Sequence, residues 1–241
     1  MSKLNKDILY LIFEKLQNDK KALPSCMLIN KTWCEIIIPI LWKNPWKFLK
    51  RNKEKILLNV IISHLSEKSK NKIRIKCNDN LINSAQNPLF NYISFCKHLN
   101  LNVIQKLIYT IKERSKLQII RKEIFKLFIN EEAIFTHLYI PSYFDYQIQL
   151  IPGAKSCFSK IEYLNCSTNI NRNILAGLTK MCNSIKELEL IIKRESNNYE
   201  IIKLIEAQED LISINLTCSN NNSNHVDTKT LEKLIKLLQI N

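Results

Sequence analysis

Eight cysteines and four histidines are the residues of this chain that could supply a thiolate nucleophile, its general base or a zinc site. A zinc site draws on pairs such as Cys-x-x-Cys or His-x-x-x-His, whose spacing brings both ligands to one ion. Cys26, Cys34, Cys77, Cys96, Cys157, Cys166, Cys182 and Cys218 form no such pair, and His64, His98, His137 and His225 are equally dispersed. Phosphate loops and dinucleotide fingerprints require several glycines at fixed spacing, and the chain has only Gly153 and Gly177. A cysteine hydrolase needs one Cys, one His and an orienting partner meeting in space, which spacing alone leaves open among so many cysteines. Those cysteines have neither the density nor the spacing of a disulfide framework and read as reduced, mostly buried thiols. No cofactor, no metal and no enzymatic activity are expected.

What remains is non-covalent recognition, and the densest set of residues suited to it opens the chain. On a helix, Leu4, Ile8, Leu9, Leu11, Ile12, Phe13 and Leu16 spread over an arc of about 200°, wider than the single stripe that one partner covers. One face can pack on the segment from Ala22 to Leu41; the other calls for a second chain. The alternative is a plain core helix. All three tryptophans, Trp33, Trp42 and Trp46, follow within fourteen positions, and tryptophan anchors interfaces as well as cores. Asn5 is a good N-cap, and Asp7 suits the positive end of the helix dipole. Pro24 falls near the start of a second helix. Pro39 lies within a third, which is expected to bend or end near Ile38.

In order and spacing, Leu4, Asp7, Ile8, Leu9, Ile12, Phe13, Leu16, Asp19, Cys26, Leu28, Ile29, Trp33, Leu41 and Trp42 resemble the F-box, the helical module that docks substrate receptors onto a ubiquitin ligase. The family pattern is roughly LPxEILxxIFxxL, a VCxxW-like stretch and LW. The resemblance implies three helices over residues 1–46 that bind a Skp-family adaptor, and through it a cullin scaffold. The adaptor would contact Leu4, Asn5, Ile8, Leu9, Ile12, Phe13, Leu16, Cys26, Ile29, Trp33, Leu41 and Trp42. Asn5 stands where the family has proline, which removes a rigid apolar contact.

A chain of 241 residues, 46% of them hydrophobic, can hold one large domain or a small and a medium one. Its longest apolar runs, such as Ile36 to Trp42, fall far short of a membrane span, and no basic-then-apolar leader opens it. A folded cytoplasmic or nuclear protein without a membrane partner is expected. The net charge of +14 is unevenly placed: residues 1–130 hold 25 Lys/Arg against 9 Asp/Glu, and residues 131–241 hold 11 against 13. The densest basic run, Trp46 to Lys55, sets an aromatic beside lysines, as a phosphate-binding surface does. The reading that outweighs it is a solvated face in a chain rich in Lys, Asn and Ile throughout. Nucleic acid is therefore not an expected partner.

Residues 47–132 read as a helical connecting region. Helices are expected at Ile56–Leu65, Pro88–Leu99, Val103–Arg114 and Leu117–Ile129, a brief strand at Lys72–Cys77 from its alternation of charge and isoleucine, and a loop at Asn78–Asn87. From residue 133 a short signature recurs. Phe135-x-x-Leu138-x-Ile140, Ile161-x-x-Leu164-x-Cys166, Ile185-x-x-Leu188-x-Leu190 and Leu211-x-x-Ile214-x-Leu216 start 26, 24 and 26 positions apart. These intervals lie in the leucine-rich-repeat range. The intervals carry helical returns such as Asn173–Cys182 and Tyr199–Ala207. The asparagine expected after each strand appears as Asn169, with Ser219 as a stand-in and Tyr143 and Lys193 in the other two repeats. Lys72–Cys77 is a candidate divergent repeat, and Thr230–Ile240 is an amphipathic helix placed to cap the series. The alternative is four strands of an ordinary α/β domain.

The expected fold class is thus α-rich α+β: a three-helix F-box, a helical linker and an irregular leucine-rich-repeat-like α/β solenoid over residues 133–241. The pairing of modules resembles the expanded F-box families of some fungi and implies a substrate receptor of a cullin-RING ligase. The alternative function is a leucine-rich-repeat scaffold that engages no ligase. An unidentified protein substrate would meet the concave strand face at Thr136, His137, Tyr139, Glu162, Tyr163, Asn165, Lys186, Glu187, Glu189, Ser213 and Asn215. The aromatic loop Tyr139–Pro152, with Tyr143 and Phe144, either joins that recognition or packs over the core.

Overall fold

The computed structural model describes residues 4–76, 87–111, 114–193 and 198–218. The chain divides into two compact units, Met1–Lys97 with Lys106–Leu127, and His98–Gln105 with Phe128–Asn241. The Asn78–Asn87 loop, for the most part, together with Ser219, His225 and the Thr230–Ile240 helix, lies outside the described residues.

The first unit opens with helices α1 (Lys6–Lys15), α2 (Ala22–Met27) and α3 (Lys31–Trp42). Each begins at a side-chain cap, because the first amides of a helix have no intrahelical partner. The Asn5 side chain accepts from the Asp7 amide at 3.4 Å, and Asn30 accepts from the Trp33 amide at 2.9 Å. Asp19 accepts from the Lys21 and Ala22 amides at 2.8 and 2.9 Å, and these bonds hold its carboxyl below the usual range. The three helices bury Leu9, Phe13, Leu23, Ile37 and Ile40 in one cluster, with the Trp33 ring edge-on to Phe13 at 5.0 Å. Pro39 does not end the helix near Ile38 as expected; α3 runs on to Trp42. Buried Ile37, Ile38 and Ile40 around the proline supply packing that offsets its lost amide bond.

Helices α4 (Glu54–Ser63) and α5 (Glu67–Lys76) follow. The second corrects the expected strand at Lys72–Cys77. Six residues of alternating charge and isoleucine fit either period, and the decision is made upstream, where the Ser66 hydroxyl accepts from the Ser69 amide at 3.2 Å. With that start, Lys70 and Ile73 fall one turn apart on the buried side. No divergent repeat is therefore formed there. The expected helix at Pro88–Leu99 is also corrected, to a 3-10 turn at Tyr92–Phe95 followed by a strand.

In the second unit, five strands form one parallel sheet in sequence order: β1 (His98–Asn100), β2 (His137–Tyr139), β3 (Tyr163–Ser167), β4 (Glu187–Ile192) and β5 (Ser213–Cys218). Strand β1 falls inside the expected helical connecting region, at the end of the helix expected over Pro88–Leu99. Its return to β2 carries two helices, α6 (Leu101–Tyr109) and α7 (Leu117–Phe128). The later returns carry α8 (Ala154–Phe158), α9 (Arg172–Met181) and α10 (Asn198–Glu206), one helix each. The register aligns Leu99, Leu138, Leu164, Leu188 and Ile214 across the sheet, the first four almost wholly buried. One carbonyl motif repeats down the series. Thr136 accepts from the Glu162 and Tyr163 amides, Glu162 from Lys186 and Glu187, and Lys186 from Ile212 and Ser213, all at 2.8 to 3.0 Å.

Alternation along β2, most of β3 and all of β4 puts one side of the sheet in the core and leaves the other partly open. Gly153, at φ +89°, starts α8 where a Cβ would lie 2.4 Å from the Asn130 carbonyl carbon, so only glycine fits. Asn169 lies half-buried after β3, where the repeat pattern expects it, and its side-chain oxygen accepts from the Ser167 hydroxyl at 2.7 Å.

Candidate functional site

Two surfaces present side chains suited to recognition. The first is on α1. Leu9 and Phe13, expected to contact an adaptor, are instead 6% and 2% exposed and belong to the core of their own helices. Leu16, Cys26, Trp33 and Leu41 are partly buried against that core. Trp42 stacks on Tyr92 with ring centroids 4.7 Å apart, so its ring too is engaged within its own unit. What stays outward is Leu4, Ile8, Leu11 and Ile12, each 44% to 60% exposed, with Leu28 and Ile29 after α2 at 82% and 60%. Asn5 is exposed beside them. The 200° arc thus splits: one side fills the three-helix core and the other is an apolar face without cover among the described residues.

The second surface is the open side of the sheet. Strand alternation turns two rows outward: His98, His137, Tyr163, Glu187 and Ser213, and Asn100, Tyr139, Asn165, Glu189 and Asn215. Cross-strand spacing stacks the rings. His98 lies 3.7 Å from His137, His137 lies 5.3 Å from Tyr163, and Tyr139 lies 5.2 Å from Tyr163. The Tyr163 hydroxyl donates to the Glu189 carboxylate. Partial burial, then that bond, pushes the Tyr163 phenol up, and burial with the Glu189 charge does the same to Tyr139. Both phenols are therefore neutral donors at ordinary pH. At the start of the strands Lys186 pairs with Glu162 at 2.9 Å, which raises the amine and lowers the carboxyl. Thr136 bonds the His137 ring at 2.9 Å.

The structure brings most of the sequence-predicted concave residues onto this one face. It does not bring Phe144, which is 1% exposed and fills the core with Ile148 and Ile151, so the aromatic loop packs inward. Tyr143, at φ +56° and 71% exposed, alone among the loop's predicted pair reaches solvent. His98 and Asn100 belong to the face and were missed. Their signal is Cys96-x-x-Leu99-x-Leu101, whose three anchors are all buried. It is concealed by a cysteine at its first position and by a return of 39 rather than 24 to 26 residues.

His64 is a structural clamp: its Nδ1 bonds the Val60 carbonyl at 2.7 Å, and its Nε2 accepts from the Tyr92 amide at 3.1 Å. Burial pushes the Cys157, Cys166 and Cys182 thiols up to about 12, so none is a thiolate at neutral pH. Among the described residues no group of three or more His, Cys, Asp or Glu is placed to hold a metal ion. No helix among them is long and apolar enough to cross a membrane.

The fold therefore defines a mixed protein of packed helices and a small parallel five-stranded sheet with one face open. No protein-family model matches the chain, and neither a curated protein nor a solved structure matches it significantly.

Proposed function

We propose that this chain is a substrate-receptor subunit of a cullin-RING ubiquitin ligase, with α1 to α3 acting as an F-box toward a Skp-family adaptor and the open sheet face capturing a protein substrate. The observation that carries the reading is the division of α1. Its F-box-like apolar residues fall into an internal set, Leu9 and Phe13, and an external set, Leu4, Ile8, Leu11 and Ile12, joined by Leu28 and Ile29. An uncovered apolar face of this kind is costly in water unless a partner buries it. A second support is the leucine-rich-repeat-like series. Parallel sheets in doubly wound folds are covered on both faces, whereas here the strands follow in sequence order with one face buried and a repeated carbonyl motif, as in a stacked-repeat solenoid. The second reading, a repeat scaffold outside any ligase, is favoured by Asn5, which offers a polar amide where an adaptor would meet proline.

The test uses exposed residues, since Leu9 and Phe13 are structural. Wild type is expected to form a one-to-one complex with a Skp-family adaptor in size-exclusion chromatography with light scattering. Ile8→Asp with Ile12→Asp is expected to abolish it while the circular dichroism melt stays unchanged. A folded wild type that binds no adaptor, or a double variant that binds fully, sinks the ligase reading.

A further inference from the structure

We infer that the open sheet face binds an extended, cationic protein segment, with an arginine or lysine side chain seated against Tyr139 and Tyr163 and paired with Glu187 and Glu189. The inference rests on the reading of this face as a capture surface and names the chemistry of what is captured.

Charge complementarity decides the occupant. In a chain of net charge +14, the two outward rows hold two carboxylates and no lysine or arginine. The nearest strand lysine, Lys186, is already paired with Glu162 at 2.9 Å. Glu187 is exposed and Glu189 half-buried, and they stand two residues apart on one strand, so both carboxylates face the same side. Glu189 accepts one bond from the Tyr163 hydroxyl. A carboxylate has acceptor sites for about four, so it keeps room for a guanidinium fork.

The rings are the second, independent element. Tyr139 and Tyr163 lie 5.2 Å apart and tilted by 46°, with His137 stacked on Tyr163 at 5.3 Å, which makes a ring wall beside the acidic pair. Cations are held over tyrosine faces when an anion completes the site. Five strands at about 4.8 Å spacing give a face on the order of 19 Å across, the length of about six extended residues. The same carboxylates repel phosphate, which argues against a nucleic acid on this face.

The probe is a fluorescein-labelled nonapeptide pool of uncharged residues with arginine fixed at its centre, beside matched pools with alanine or glutamate there. Binding to the full chain is read by fluorescence polarisation. The arginine pool is expected to bind, and the other two to bind at least about tenfold more weakly. Glu187→Gln with Glu189→Gln, which keeps an acceptor for Tyr163, is expected to remove that preference with an unchanged melt. Glu206→Gln with Glu209→Gln removes the same charge from exposed positions at and beyond the end of α10 and is expected to leave it intact.

Equal binding of the three pools, or equal losses in the two double variants, overturns the inference. So does a wild-type dimer that Glu187→Gln with Glu189→Gln dissociates, since the occupant is then a second copy of this chain. Adaptor binding is measured on the same variants. A wild type that binds the adaptor but shows no arginine preference sinks this inference alone, and a wild type that shows the preference without adaptor binding sinks the ligase reading alone.

Discussion

At Gly153 and Glu123 single residues carry more of the fold than their surroundings do. Gly153 combines a left-handed backbone with a Cβ position 2.4 Å from the Asn130 backbone. Gly153→Ala is therefore expected to lower stability by about 1–3 kcal/mol or more, read from the urea midpoint. Glu123 on α7 is buried and accepts from the Ser69 hydroxyl at 2.5 Å and the Lys72 amine at 3.3 Å, tying α7 to α5. Burial alone raises its carboxyl, but the Ser69 and Lys72 bonds and the nearby cations outweigh burial and hold it below the ordinary value of 4.5. A depressed carboxyl stabilises the fold above its unfolded pKa, and the contribution is lost as pH falls through the folded value. Glu123→Gln is thus expected to destabilise the protein by about 1–3 kcal/mol at pH 7. Against wild type that difference should shrink toward zero as the pH falls below 4.5; a constant difference down to pH 3 would show that packing, not charge, is what Glu123 supplies.

Helix α1 shows how one element serves two purposes. Its apolar arc was legible from spacing alone, but the F-box resemblance implied one interface for Leu9, Phe13, Ile8 and Ile12 together. Packing of α3 against α1 separates them, since the Trp33 ring meets Phe13 while Ile8 and Ile12 point away from the cluster. Phe13→Ala is accordingly expected to cost about 3–5 kcal/mol in a denaturation curve. Ile8→Ala is expected to stay within about 0.5 kcal/mol, and comparable losses would place Ile8 in the core. Helix α5 teaches the converse. Its isoleucines alternate like a strand, and a serine cap one turn earlier, outside the six-residue window, decides the matter.

Across the whole molecule, the sheet reaches back to residue 98, and the chain passes three times between its two units. A fragment of residues 133–241, cut where the regular repeat begins, lacks β1 and with it Leu99, which lies beside Leu138 in the buried row. It exposes the β2 edge and is expected to self-associate in light scattering where the full chain does not. A monodisperse, equally stable fragment would show β1 to be dispensable. The sequence by itself determined the helical N-terminus, its cap at Asn5, the four regular strands from Phe135 onward and the helical returns at α9 and α10. These rest on periodicities of two and 3.6 and on capping, which act over a few residues. Only the tertiary structure decided that Phe144 is core, that Leu9 and Phe13 turn inward and that Cys96, Leu99 and Leu101 begin the sheet. It also aligned His98, His137, Tyr163 and Glu189 on one face. Each of these depends on which segments distant in the chain pair or pack, and local spacing carries no information about that.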